Sequence, residues 1–252
     1  IRAIIDIKDL QDVDFVTGHY IVLCTKKGII KKTDLADFSR PRQSGVNAIT
    51  INEGDQLLEA KLTNGTCEIM MAVNSGRAIR FAETKVRSTG RGAIGVFGIE
   101  TESEEEEVVG MICVNPTTPD RTVLVVSEKG YGKRTSVDEY RVTNRGGKGV
   151  KTINVTEKTG KLVGVLDVAE AEDLIITCKS GITIRTKVAN ITEQGRATQG
   201  VKLIRIDEGD EIAAITRIDV QDVIGIIAED SETGDATNDT AAASDEENTF
   251  PS

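Results

Sequence analysis

Five residues, RGGKG at Arg145–Gly149, place two cations around two glycines and run straight into a β-like stretch. Glycines admit positive φ and let backbone N–H groups come close to a phosphate, and Arg145 and Lys148 add charge on either side. The composition suits anion contact. It is not a nucleotide-binding loop of the G-x-x-x-x-G-K-[ST] kind, because that spacing is missing and a strand rather than a helix follows. Other chemistry finds little footing. The sole histidine, His19, sits in a TGHY loop, and Tyr20, Tyr131 and Tyr140 lie in β or turn sequence without the base a nucleophile needs. No catalytic residue is assigned. Cys24, Cys67, Cys113 and Cys178 are far apart with no C-x-x-C, so buried free thiols of a cytosolic protein are expected rather than a zinc site. The acidic run Glu100–Glu107 lacks the glycine-anchored spacing of an EF-hand and is predicted to be a solvated tip.

RGGKG gains meaning from repetition. Four stretches, YIVLCTKKGIIKKTDL, EIMMAVNSGRAIRFAE, TVLVVSEKGYGKRTSV and LIITCKSGITIRTKV, align on Gly28, Gly76, Gly130 and Gly181, spaced 48, 54 and 51 residues apart. Each has an apolar, β-branched run before its glycine and a cation four residues after it: Lys32, Arg80, Arg134 and Arg185. A Gly-Val pair follows at Gly45-Val46, Gly95-Val96, Gly149-Val150 and Gly200-Val201. Four residues before it stands Arg91, Arg145 or Arg196, and in the first copy Pro41 between Arg40 and Arg42. A polar link ending in Gly between apolar runs signals a hairpin. Each unit therefore holds about four strands in about fifty residues, the size of a blade in propeller-like folds. So small a sheet cannot bury both faces alone, and face-to-face packing of neighbours must supply the core.

These units must be built mainly from Ile, Val, Leu and Ala, since aromatics make up 3% of the 252 residues and Trp is absent. No useful helical periodicity occurs in 18–220, which predicts an all-β chain. The boundaries read as 1–17, the end of a preceding blade; 18–66, 67–118 and 119–171, the first three repeats; 172–228, the fourth with a closing strand; and 229–252, a disordered acidic tail too poor in apolar surface to fold. The chain begins without Met in strand-like sequence and is read as a fragment. No 18-residue apolar run occurs, so neither a membrane-spanning helix nor a membrane partner is predicted, and no signal-peptide pattern opens the chain. The net charge of −10 is uneven. Discounting the eight acids from Glu229 onward leaves −2, and discounting the six in Glu100–Glu107 leaves +4. A mildly basic body with acidic appendages points to a polyanion partner, with the tail as a competitor.

Cations recurring in register across stacked blades are predicted to share one rim. With Tyr131 and Phe81 as the few aromatic candidates, base stacking on single strands is not expected, and no helix is offered to a major groove. Backbone contact with a duplex curving around the rim remains. The candidate contacts are Lys31, Lys32, Arg40, Arg42, Arg80, Arg91, Lys133, Arg134, Arg145, Gly146, Gly147, Lys148, Gly149, Arg185, Lys187, Arg196 and Lys202.

The repeat unit, GYGKRTSVDEY with RGGKGVKTINVTEKTGKLVG, and RATQGVKLIRIDEGDEI together resemble the C-terminal domains of DNA gyrase A proteins, over roughly 1–228. That resemblance implies a β-pinwheel, a propeller-like disc whose blades exchange strands and whose basic perimeter wraps double-stranded DNA for negative supercoiling. The implied partners are the rest of the gyrase A protein and gyrase B, in the cytoplasm at the nucleoid. ATP and Mg²⁺ would belong to those parts, with no cofactor in this chain, which would be inactive alone without the breakage–reunion Tyr. Arg145–Gly149 match the last five positions of the family box Q-R-R-G-G-K-G, while Thr143 and Asn144 replace Gln and Arg. The match falls in the third copy here, whereas the family places its box in the first blade. The related C-terminal domain of topoisomerase IV and a protein-binding propeller are the alternatives.

Overall fold

The computed structural model describes residues 1–7 and 10–218. The predicted closing strand beyond 218 and the tail 229–252 lie outside the described residues. Among the described residues, a five-residue helix α1 (Val13–Thr17) is followed by sixteen strands. The first repeat gives β1 (Tyr20–Thr25), β2 (Ile29–Asp34) and β3 (Leu57–Thr63). The second gives β4 (Glu68–Val73), β5 (Arg77–Ala82), β6 (Val96–Phe97) and β7 (Val108–Val114). The third gives β8 (Arg121–Ser127), β9 (Tyr131–Ser136), β10 (Val142–Thr143), β11 (Val150–Lys151) and β12 (Leu162–Ala169), and the fourth β13 (Asp173–Cys178), β14 (Thr183–Lys187), β15 (Val201–Lys202) and β16 (Ile212–Ile218). A short 3-10 turn follows β2, β5, β9 and β14.

These strands form four small sheets in a propeller-like arrangement. Each is an antiparallel core of three long strands, β3-β1-β2, β7-β4-β5, β12-β8-β9 and β16-β13-β14. The first three sheets take an edge strand from the next repeat: β6 on β2, β10 and β11 on β5, and β15 on β9. Blades and sequence repeats are thus offset by a strand. The hairpin glycines show why no other residue serves there. At Gly28 (φ 87°) and Gly130 (φ 80°) an added Cβ would come within 2.4 and 2.7 Å of the carbonyls of Ile99 and Ile204, both in the next repeat. Positive φ and close backbone approach together demand glycine.

The central strands β1, β4 and β8 are buried on both faces, so their runs are nearly continuously apolar rather than alternating. In β4, Ile69, Met71 and Val73 join Val22, Cys24 and Ile30 of the first sheet, while Met70 and Ala72 turn the other way onto Val123, Val125 and Leu162 of the third. A third seam joins the third and fourth sheets through Leu124, Val126, Leu174 and Ile176. The outer face of the first sheet is covered differently. Residues 1–17 contribute no strand among the described residues; Ile5, Ile7, Leu10, Phe15 and Val16 pack instead on Ile21, Leu23 and Leu35. The four cysteines are free, Cys24 and Cys178 buried, Cys67 and Cys113 half-buried.

Candidate nucleic-acid interface

Two rows of cations recur, and the fold sends them to different places. The cation four residues past each hairpin glycine was expected on the rim, yet Lys32 and Arg134 are buried and Arg80 is half-buried. Each reaches under the following repeat and ties down its 3-10 turn. Lys32 Nζ lies 3.5 Å from Glu83 and over the Tyr20 ring. Arg80 Nη1 donates to the carbonyls of Val137 (2.6 Å) and Tyr140 (2.9 Å), with its Nε on Glu68. Arg134 Nε donates to the Ile191 carbonyl at 2.7 Å. Lys31 and Lys133, one residue earlier, are buried too. Lys31 Nζ donates to the carbonyls of Ala48 and Arg91, and Lys133 Nζ to that of Gly195. Burial, opposed by Glu139 and reinforced by Arg196, lowers Lys133 to about 8. These five side chains are spent on the carbonyls, carboxylates and rings around them, and of the five only the half-buried Arg80 also borders an outer cleft. Arg185 has no following 3-10 turn to reach among the described residues; it is exposed and pairs with Asp173 at 2.6 Å.

The loop cations fare differently. A joint recurs wherever the loop of one repeat meets the previous repeat: Thr50 N–H donates to the Ala93 carbonyl, Glu100 N–H to that of Gly147, and Asn154 N–H to that of Thr198, at 3.2, 3.1 and 3.0 Å. In two of the joints the arginine clasps the previous repeat. Arg145 donates to the carbonyls of Lys85 (3.1 Å) and Phe97 (3.0 Å), and Arg196 to that of Lys151 (3.0 Å). RGGKG is therefore first a joint. Gly146 N–H is committed to the Gly98 carbonyl, Gly147 takes the Glu100 bond, and Gly149 is needed because a Cβ there would meet the Ala78 carbonyl at 2.4 Å. The backbone donors of Gly146 and the space at Gly149 are thus not open to a phosphate.

What the joints hold outward is charge. Lys148 is exposed, Lys151 and Lys202 are exposed at equivalent positions of successive repeats, and Lys187 is exposed on β14. Arg141, Lys148, Thr143, Asn144 and Gly147 line a cleft of about 310 Å³ beside Arg80. Arg42 and Arg91 line another with Ser44, Gly45 and Asn47, and Arg40 is exposed nearby in sequence. Sequence reasoning passed over Lys85, Arg87, Arg141, Lys151 and Arg205, all exposed. A signal was present: Arg87 and Arg141 each directly follow the residue closing a 3-10 turn, in the same register. The acidic run is not simply a solvated tip. Glu106 is buried against Arg77 and Ser75, and although burial pushes its carboxyl up, hydrogen bonds from Ser75, the Glu102 N–H and Arg77 outweigh it and hold it below the usual range. Glu102 is left to pair with Lys148 at 3.1 Å and Arg77 at 3.3 Å. Of the two expected stacking candidates, Phe81 is fully buried and Tyr131 half-buried beside Lys158.

The repeats match known proteins. A family model described as DNA gyrase C-terminal domain, beta-propeller, matches residues 19–64, 68–115, 121–169 and 172–219. The DNA gyrase A proteins of Staphylococcus aureus strains MRSA252 and NCTC 8325 / PS 47 are 41% identical over 218 residues, 86% of this chain and 24% of theirs. The chain thus spans about a quarter of the length of these relatives. A solved DNA gyrase A C-terminal domain superposes with a TM-score of 0.74 at 27% identity, over 86% of this chain and 70% of that one. The C-terminal domain of DNA topoisomerase IV gives 0.79 at 21% identity, over 92% and 70%, a likeness of fold alone.

Proposed function

The chain belongs to the DNA gyrase C-terminal domain family, and on that premise we propose that it binds double-stranded DNA through the phosphate backbone and bends it around successive blades. The observation carrying this reading is the repeated joint, beside which Lys151 and Lys202 are exposed in register, with Lys148 exposed in the same loop as Lys151. Contacts spread along an arc can offset a bend that costs on the order of 1–6 kcal/mol over 20–30 base pairs. The wrapped duplex would be presented to the rest of the gyrase A protein and to gyrase B, at the nucleoid in the cytoplasm, where ATP and Mg²⁺ would serve strand passage and ATP hydrolysis outside this chain. No helix among the described residues is long and apolar enough to cross a membrane.

The test is a salt titration of binding to duplexes of unrelated sequence. Affinity is expected to fall steeply with salt, by about 0.9 in log–log slope for each phosphate neutralised, with little sequence preference. Binding insensitive to salt contradicts the proposal. A plasmid topology assay then separates a gyrase-type wrap, which shifts linking number after nicking and closing, from a topoisomerase IV type, which leaves it nearly unchanged.

A further inference from the structure

The joints make four loops comparable residue by residue, and one differs in kind. Relative to the second glycine, the preceding residue is Ser44, Ile94, Lys148 and Gln199, and the residue two after it is Asn47, Phe97, Lys151 and Lys202. Three loops are polar or cationic there. The second alone is apolar at both positions, and both side chains are exposed, Phe97 by 63% and Ile94 by 43%. Phe97 is not loosely hung. Its strand pairs with Ile29, its carbonyl accepts from Arg145 Nη1 at 3.0 Å, and a Cβ added at Gly146 would come within 3.9 Å of its own Cβ. Lys85 and Arg87, both exposed, belong to the same repeat, and the Arg145 guanidinium also reaches the Lys85 carbonyl. An exposed aromatic ring on a firmly held backbone stands where two of its three counterparts carry lysine.

We propose that Phe97, with Ile94 beside it, is an apolar wedge that enters a base step of the bound duplex, so that the DNA kinks at the second blade instead of curving evenly. This rests on the DNA-binding reading above. Apolar side chains inserted between base steps unstack them and kink the duplex, and the extra protein surface then wrapped offsets the unstacking. The partner is a duplex offering a pyrimidine–purine step, which unstacks most easily. Charge complementarity selects this occupant: the exposed Lys85 and Arg87 of the same repeat would attract the phosphates of a duplex seated on Phe97.

The experiment uses the 252-residue chain with Phe97→Ala and Phe97→Lys, on a fluorophore-labelled duplex of about 30 base pairs with one central TA step. Bending is read by energy transfer, unstacking by permanganate reactivity of the central thymines, and folding by the melting temperature, which is expected to stay put because the side chain is exposed. Wild type should bend the duplex and expose the thymines. Phe97→Ala should lose the thymine reactivity and bind several-fold more weakly. Phe97→Lys should lose the reactivity and the sharp bend while binding at least as tightly as wild type. Both variants bending DNA and exposing thymines like wild type would overturn the wedge and leave the binding reading intact. Wild type showing no salt-dependent binding would overturn both.

Discussion

Lys32, Arg80 and Arg134 in the interior and Lys151 and Lys202 on the exterior carry the same charge and the same fifty-residue recurrence, yet only the second set faces outward. Lys32, Arg80 and Arg134 sit within strands that the next repeat covers wholly or, for Arg80, in part, so their charges cap turns of that repeat. Lys148 sits in a loop fixed by backbone hydrogen bonds, and Lys151 and Lys202 end the short edge strands β11 and β15, so their side chains are left exposed. Recurrence of charge marks a structural register; what the charge does depends on whether the next blade covers it.

Breaking the interior row should have the largest effect. Arg80→Met or Arg134→Met strands buried carbonyl acceptors and, for Arg80, the Glu68 carboxylate, and is expected to lower stability by about 3 kcal/mol, read in denaturant melts. A loss under about 0.5 kcal/mol, the range for ordinary surface substitutions, would erase the distinction. The exterior row should behave oppositely. Lys148→Gln, Lys151→Gln and Lys202→Gln combined should leave the melt within about 0.5 kcal/mol while weakening DNA binding substantially at low salt.

Lys133 sharpens the contrast through pH. Its folded value of about 8 lies below the ordinary 10.5, so between those values the unfolded chain binds more protons and stability contributed by this group rises with pH. The penalty of burying the charged form is complete below about pH 8 and relieved as pH climbs toward 10.5. The melting-temperature gap between wild type and Lys133→Met should therefore change across that window; parallel curves would contradict the burial. Taking the difference removes the opposing effect of Cys24 and Cys113, whose thiols burial pushes up. The smallest effect is expected at Glu102. Glu102→Gln frees Lys148 from an exposed pairing worth under about 1 kcal/mol while Arg77 stays on Glu106, so DNA binding should tighten by less than about tenfold and only at low salt.

Much of this was legible in the sequence. The hairpin glycines, the fifty-residue period and the Gly-Val pairs located the blades, because positive φ and a close backbone leave few alternatives to glycine. The destination of the cations was not. Within one repeat, KK at Lys31-Lys32 or KR at Lys133-Arg134 reads as a solvated strand end, since nothing local says that the next repeat lies on top. The clue was the alignment itself: Ile79 and Ile184 occupy the place of Lys31 and Lys133, which marks it as interior. Phe97 escaped notice for the converse reason. A Val-Phe pair reads as core until the joint shows that only Val96 turns inward and packs against the first seam. Residues 1–17 form no strand among those described because apolar spacing in IRAIIDIKDL suits a cover for the first sheet as well as a strand.

The central claim is that the exterior row meets DNA and the interior row does not. Fluorescence anisotropy on one duplex, titrated with salt, tests it for wild type, the Lys148/Lys151/Lys202 triple variant and Arg134→Met held well below its melting temperature. The triple variant should lose about 2.7 in log–log slope, at about 0.9 per contact, while Arg134→Met keeps the wild-type slope. An unchanged slope in the triple variant, or a reduced one in folded Arg134→Met, would contradict the assignment.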